Sequence, residues 1–249
     1  MPKWGMVIDL SRCIGCRTCM VACKIHNSIP PGMWWHRVET LGSSEHQFPV
    51  GEYPHFSEVF LPVLCNHCDN PPCVKVCPVS ATYKGQDGLV NIDYERCIGC
   101  RYCMTACPYG VRQFNWQKPL ANYEAAYKAA GAQNPAEAAA DDIHGYPLDY
   151  RTEDGRLVFT PRRPKGVVEK CTFCVEYINQ GLAPACVRAC TGNARIFGDL
   201  SNPFSQISEV VRSEGLYRLR EDLDTHPRVY YIPADSKKGK GNVSYNPEV

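Results

Sequence analysis

Sixteen cysteines stand in four groups of four, with none left over. The groups read CIGCRTCMVAC (Cys13, Cys16, Cys19, Cys23), CNHCDNPPCVKVC (Cys65, Cys68, Cys73, Cys77), CIGCRYCMTAC (Cys97, Cys100, Cys103, Cys107) and CTFCVEYINQGLAPACVRAC (Cys171, Cys174, Cys186, Cys190). In a C-x2-C-x2-C-x3-C run the first three thiolates lie on one short loop and can hold three corners of an iron-sulfur cube. The fourth leaves on the following turn toward a second cube. Ligand sets therefore cross between groups, and the chemistry implied is electron transfer through [4Fe-4S] clusters, four of them if all sixteen thiolates are used. Disulfide frameworks belong to small secreted domains and do not need thiols spaced every three residues. A zinc site of four thiolates needs two separated C-x2-C pairs, which leaves the middle thiols of the first and third groups without a role.

The residues between the thiols fit the same chemistry. Gly15 and Gly99 sit inside the tightest loops, where a residue without Cβ allows positive φ and close approach of backbone to a cluster. Pro78 and Pro108 follow Cys77 and Cys107, as in bacterial two-cluster ferredoxins, whereas Lys24 and Thr191 follow Cys23 and Cys190. Arg12, Arg17, Lys24, Lys75, Arg96, Arg101, Lys170 and Arg188 flank the cysteines and are either counter-charges for anionic clusters or solvated surface charge. His67 either donates a hydrogen bond to a cluster, making its potential pH-dependent, or fills a polar loop. Tyr109 and Phe173 either shield clusters or pack.

The segment DLSRCIGCRTCMVAC from Asp9 aligns without gaps on DYERCIGCRYCMTAC from Asp93, with 11 of 15 positions identical. The second and fourth groups correspond more loosely, through CVKVC and CVRAC. Four groups in this alternating order predict an α+β fold of two interlocked bacterial-ferredoxin-like modules related by a pseudo-twofold, with loop and helical insertions. Residues 58–115 form the central module, and residues 1–23 with 165–200 form the outer one. On this reading Cys13, Cys16 and Cys19 share a cluster with Cys190. Cys171, Cys174 and Cys186 share one with Cys23. Centrally, Cys65, Cys68 and Cys73 pair with Cys107, and Cys97, Cys100 and Cys103 with Cys77.

The elements that must position these loops are short. MVIDL (Met6 to Leu10), EVFLPVL (Glu58 to Leu64), LVNID (Leu89 to Asp93) and RVYYIP (Arg228 to Pro233) read as strands. Each fourth cysteine is expected to open a short helix. A longer helix is expected near the end, capped by Asn202, with Pro203 in its first turn, Phe204, Ile207 and Val211 on one face, and Gly215 as its stop. It belongs to a C-terminal helix and strand over residues 201–234, and residues 235–249 form a polar tail. The insertions are residues 24–57, with Trp34 and Trp35, and residues 116–164, with Trp116 and an Ala-rich stretch broken at Gly131 and Pro135. Such long additions often serve partner contact, and the three tryptophans read as packing residues.

At 249 residues the chain can bury a core without covalent staples, yet 20 Pro and 19 Gly imply much loop. Balanced charge, 27 Lys and Arg against 26 Asp and Glu, argues against a nucleic-acid binder. There is no run of 18 apolar residues, and MPKWGMVIDL lacks both an apolar leader and a twin-Arg stretch. Export, if any, is then expected to depend on a partner's signal, and without one the location is cytoplasmic.

The opening MVIDLSRCIGC, the second group LCNHCDNPPCVKVCP, the third group CIGCRYCMTACPYGVRQFN, and EKCTFC with GLAPACVRAC and ARIFGDLSNP resemble the iron-sulfur subunits of the dimethyl sulfoxide reductase family of molybdenum or tungsten oxidoreductases. The likeness covers most of the chain. It implies a subunit without substrate chemistry of its own, docked on a large subunit that carries the Mo/W-bis-pterin cofactor. It also implies that the other end usually meets a membrane quinone protein. Two alternatives compete with it. A free polyferredoxin would shuttle electrons by diffusion, for which a compact acidic surface is better suited. An iron-dependent enzyme would need a cluster with only three thiolates, which an even division of sixteen does not provide.

Overall fold

The computed structural model describes residues 2–41, 50–116, 149–160, 163–212 and 215–234. The Ala-rich stretch of the second insertion and the tail from residue 235 lie outside them.

Strand β1 (Trp4–Asp9) carries Met6, Val7 and Ile8 with no exposed surface. A continuous apolar run of this kind suits a strand covered on both faces. It lies between two strands from the other end of the chain, antiparallel to β12 (Arg195–Asp199) and parallel to β13 (Val229–Ile232). Trp4 stands opposite Asp199, and Met6 opposite Val229. Group I leaves the end of β1 and group IV leads into β12, so this sheet brings the first and last cysteine groups together. The other strands pair antiparallel in twos: β2 (Arg37–Leu41) with β5 (Val59–Val63), β3 (Val50–Glu52) with β4 (His55–Ser57), β6 (Thr82–Lys84) with β7 (Val90–Ile92), β8 (Gln113–Phe114) with β11 (Val168–Glu169), and β9 (Tyr150–Arg151) with β10 (Leu157–Phe159). All four apolar runs predicted as strands fall in strands, namely β1, β5, β7 and β13.

The helices differ from expectation. It is the third cysteine of each group that lies in a helical first turn: Cys19 in α1 (Thr18–His26), Cys73 in α2 (Pro72–Lys75), Cys103 in α3 (Tyr102–Thr105) and Cys186 in α5 (Ala185–Arg188). Cys77, Cys107 and Cys190 lie beyond their helices, and Cys23 lies inside α1. The cause is local. Arg17 and Arg101 take the left-handed conformation (φ 59° and 64°) and turn the chain straight from the loop into a helix. In groups II and IV the extended Pro71 and Pro184 make that entry instead. A further short helix, α4 (Val175–Ile178), follows Cys174.

The 84-residue repeat is a repeat of backbone as well as sequence. Gly15 and Gly99 have φ of 67° and 70°. Asp9 accepts the Ser11 N–H at 2.9 Å, and Asp93 accepts the Glu95 N–H at 3.0 Å.

Helix α6 (Gln206–Arg212) begins later than predicted. Ser205 is its cap, accepting the Ser208 N–H at 3.3 Å, while Asn202 closes a preceding turn by accepting the Phe204 N–H at 3.0 Å. Ile207 is buried as expected, but Phe204 is 86% exposed, being outside the helix and off its inner face. Much of the first insertion is core rather than appendage. Ile29, Met33, Trp35 and Val38 join a cluster with Leu61, Leu64 and the sulfurs of groups I, II and IV. Among the described residues, no helix is long and apolar enough to cross a membrane.

Candidate functional site

All sixteen cysteines are free thiols, and only Cys16 and Cys100, which correspond in the repeat, are exposed. One cavity is lined by Cys13, Cys16, Cys19 and Cys190. Here burial pushes the Cys13 thiol up, and neighbouring Cys19 and Cys190 push it further, against the Gly15 N–H and Arg195. Cys16 is lowered to about 7 by hydrogen bonding with Thr18 and Thr191, the latter at 3.4 Å from its Sγ. A second cavity is lined by Cys65, Cys68, Cys73 and Cys107. Burial, with Cys65, Cys73 and Cys107 beside it, pushes Cys68 up to about 12.

Cys23, Cys171, Cys174 and Cys186 are all buried. Burial raises Cys174, and so do the charges of Glu176, Cys186, Cys23 and Cys171 facing it. Of the remaining four, Cys103 is buried beside Cys97 in a smaller apolar cluster. Cys77 comes off α2, which packs on α3 of group III, and its Sγ accepts the Thr82 N–H at 3.4 Å. Cys171 and Cys190 accept similar bonds, from Phe173 N–H at 3.4 Å and Ala194 N–H at 3.3 Å.

These thiols suit iron-sulfur clusters. Buried thiols pushed toward 12 stay protonated unless a cation takes the proton's place, and backbone N–H groups aimed at sulfur stabilise the thiolate. The sets also adjoin one another. Arg195 reaches both Cys19 Sγ at 3.3 Å and Cys186 Sγ at 3.8 Å, Cys171 and Cys65 share one buried cluster and are joined through His67, and Cys73 and Cys103 share another. The order of neighbours is thus Cys19 to Cys186, Cys171 to Cys65, and Cys73 to Cys103.

Elements remote in sequence hold the loops. Group II is bound by the segment before β13: Asp69 N–H donates to His226 at 2.8 Å, Asn70 N–H to Thr225 at 3.0 Å, and Arg228 N–H to Asn66 at 2.9 Å. Tyr109 is buried, and its hydroxyl meets Thr225 at 2.5 Å. His67 does not reach sulfur. Its Nδ1 accepts the Val90 N–H at 3.1 Å, which leaves the proton on Nε2 to be donated to the Cys171 carbonyl, also at 3.1 Å. Burial holds it well below the usual histidine range, so it is a neutral strut between groups II and IV, with Phe173 stacked on it at 4.0 Å.

Of the eight cations singled out beside the cysteines, only Lys170 is buried, its Nζ donating to the Cys171 carbonyl at 2.8 Å. The cations nearest the buried sulfurs are instead Arg195 and Arg112. Each stands five residues after the last cysteine of its group, in CTGNAR and CPYGVR, and that shared spacing is the signal that could have found them. Trp35 is buried, with Nε1 donating to Glu169 at 3.0 Å. Trp34 is covered by Lys24, and the exposed Trp116 by Arg101.

Family models described as 4Fe-4S dicluster domain match residues 56–125 with 156–200, and residues 12–81. Among curated proteins, the chain is 41% identical to a Halobacterium salinarum protein assigned as a dimethyl sulfoxide reductase iron-sulfur subunit, over 96% of this chain and 82% of that one. It is 39% identical to the arsenate respiratory reductase iron-sulfur subunit of Shewanella sp. (strain ANA-3), over 92% and 96%. It is 38% identical to a selenate reductase subunit from Mesobacillus selenatarsenatis, over 92% and 72%.

Proposed function

We propose, from the premise that this chain belongs to the iron-sulfur electron-transfer subunits of the dimethyl sulfoxide reductase family, that it is a four-cluster relay between a Mo/W-bis-pterin catalytic subunit and a redox partner. Members of this family transfer electrons and leave substrate chemistry to another subunit. The names of the three relatives differ in substrate while their sequences stay close to this one, in keeping with a substrate chosen elsewhere. The redox partner is a quinone-linked membrane subunit or a soluble carrier.

The ligand sets proposed are Cys13, Cys16, Cys19 with Cys190; Cys171, Cys174, Cys186 with Cys23; Cys65, Cys68, Cys73 with Cys107; and Cys97, Cys100, Cys103 with Cys77. Clusters bound there supply one-electron transfer. The interlocking of two ferredoxin modules follows from the crossed fourth ligands. The observation that carries the reading is where water reaches the sulfurs. In the order of neighbours the Cys13 and Cys97 sets are terminal, and these two sets hold the exposed thiols, Cys16 and Cys100. All four thiols of the Cys171 set are buried, and three of the Cys65 set. A relay needs access at both ends and a dry middle between them, whereas a substrate site would need one open cluster only.

Anaerobic purification from the native cell tests the subunit reading. A large chain should co-elute with molybdenum or tungsten, and iron and sulfide should correspond to four of each per set of cysteines. A chain that elutes alone and reduces several proteins would instead be a free polyferredoxin. Cys190→Ser tests the crossing: it should damage the cluster of Cys13, Cys16 and Cys19. Damage to that of Cys171, Cys174 and Cys186 would contradict the sets.

A further inference from the structure

Among the described residues, five Lys and Arg side chains are buried: Arg112, Arg163, Lys170, Arg195 and Arg228. A cation taken out of water needs a counter-charge or a full set of acceptors. Arg163 has Glu169 at 2.9 Å, Arg228 has Asp69 at 2.5 Å, and Lys170 is tied to a carbonyl. Arg112 and Arg195 form no ion pair with a carboxylate among the described residues. Their surroundings are sulfur. Arg195 sends Nη2 to Cys19 Sγ at 3.3 Å and Nη1 toward Cys186 Sγ at 3.8 Å and Met6 Sδ at 3.5 Å. Its fork thus spans one thiol from each set of the outer module. Arg112 donates from Nη1 to Thr82 Oγ1 at 3.2 Å, while Nη2 is buried without a hydrogen-bond partner. Arg112 lines the cavity of Cys65, Cys68, Cys73 and Cys107, and Cys73 there packs in one cluster with Cys103 of the other central set, so the charges of both thiols act on it.

We propose that Arg195 and Arg112 are the fixed counter-charges of the relay, each shared by the two clusters of one module and holding the potentials of both above what they would otherwise be. This rests on the ligand sets proposed above. A reduced cluster carries one more negative charge than an oxidised one, so a nearby cation stabilises the reduced form more and raises the potential. In a dry interior that effect is little screened. Arginine suits the task in two ways. Its planar fork can reach two sulfurs at once, and its charge does not titrate in the working range, so the potentials it sets stay constant with pH.

Redox titration of the loaded, full-length protein, followed by EPR, tests this with Arg195→Gln, Arg195→Lys and Arg112→Gln, the signals being assigned by cysteine-to-serine changes in each set. Arg195→Gln should lower the potentials of both outer clusters, changing their oxidised-to-reduced ratio at fixed ambient potential about tenfold, or about 59 mV for one electron. The central pair should not move. Arg112→Gln should do the reverse, and Arg195→Lys should restore most of the Arg195→Gln shift. Unmoved potentials, or an equal shift in all four clusters, would overturn the proposal. If Arg195→Gln fails to load its clusters, Arg195→Lys decides: loading at near-normal potentials supports a role for charge, and failure to load makes Arg195 a packing residue. A wild type that binds fewer than four clusters sinks the relay itself. A shift confined to one outer and one central cluster leaves the relay standing but overturns the pairing and this proposal together.

Discussion

The two loop glycines share their backbone angles but not their surroundings, and the difference separates strain from collision. A Cβ on Gly15 would stand 2.6 Å from the ring of Phe60, a half-buried side chain that can turn away. A Cβ on Gly99 would stand 2.0 Å from the Gly166 carbonyl oxygen. That residue is pinned, because the Gly166 N–H donates to the Asn115 carbonyl at 2.8 Å beside the β8–β11 pair. Alanine at either site carries a left-handed backbone penalty of about 1 kcal/mol. Gly99→Ala must also move a backbone, and should cost about 3 kcal/mol in all. Denaturation of the loaded protein under anaerobic conditions checks this, and equal losses at the two sites would refute it. These glycines thus do more than let backbone approach a cluster. The space kept free at each also admits a neighbouring piece of protein, which no repeat of the sequence could indicate.

Among the elements, the join between the first insertion and the scaffold is the most exacting. Glu169 on β11 has no exposed side-chain surface. It accepts from Trp35 Nε1 at 3.0 Å and from Asn115 Nδ2 at 2.9 Å, and pairs with the equally buried Arg163. Arg163 in turn donates to the carbonyls of Thr160 at 2.8 Å and Asn27 at 2.6 Å. Glu169→Ala would leave a buried guanidinium without its carboxylate and Trp35 Nε1 without its acceptor, at a cost of about 3–5 kcal/mol. Chemical denaturation should register that loss, and Trp35→Phe, which removes one donor and part of a buried ring but leaves the Arg163–Glu169 pair in place, should cost about 1–2 kcal/mol. Comparable losses would mean that Glu169 is not the hub. Apolar runs such as MVIDL and RVYYIP made the strands legible, since six residues suffice to show a covered strand. Helices of four residues cannot show a 3.6-residue period, so their boundaries at Cys73, Cys103 and Cys186 were misplaced. In the same way, Asn202 looked like a cap because nothing local distinguishes it from Ser205. The cysteine groups were legible because their spacing is regular, and the structure brings their sulfurs into shared buried clusters, whereas Arg112 and Arg195 come to lie beside those sulfurs only through strands and loops that bring distant groups together.

At the scale of the whole molecule, iron is expected to be a structural member as much as a conductor. The longest helix among the described residues has nine residues and the longest strand six, with one sheet of three strands and the rest in pairs. The space that leucine and isoleucine fill in an ordinary domain is lined here by Cys19, Cys23, Cys65, Cys68, Cys171 and Cys186. Without iron the thiols of Cys23, Cys68, Cys171 and Cys186 become neutral, because burial raises all four, Cys68 and Cys171 to about 12. Arg112 and Arg195 would then be buried with no counter-charge, so the apo chain has no reason to keep its folded shape. Removal of iron should therefore abolish cooperative unfolding and much of the circular dichroism signal. It should also proceed in two phases. A chelator under anaerobic conditions reaches the Cys16 and Cys100 edges first, and the Cys65 and Cys171 sets only after the structure opens. Mössbauer and EPR spectra recorded through the titration should show two clusters lost before the other two, with the dichroism falling in the second phase. Loss of all four together, or an apo protein with native dichroism, would show that the fold stands without its metal.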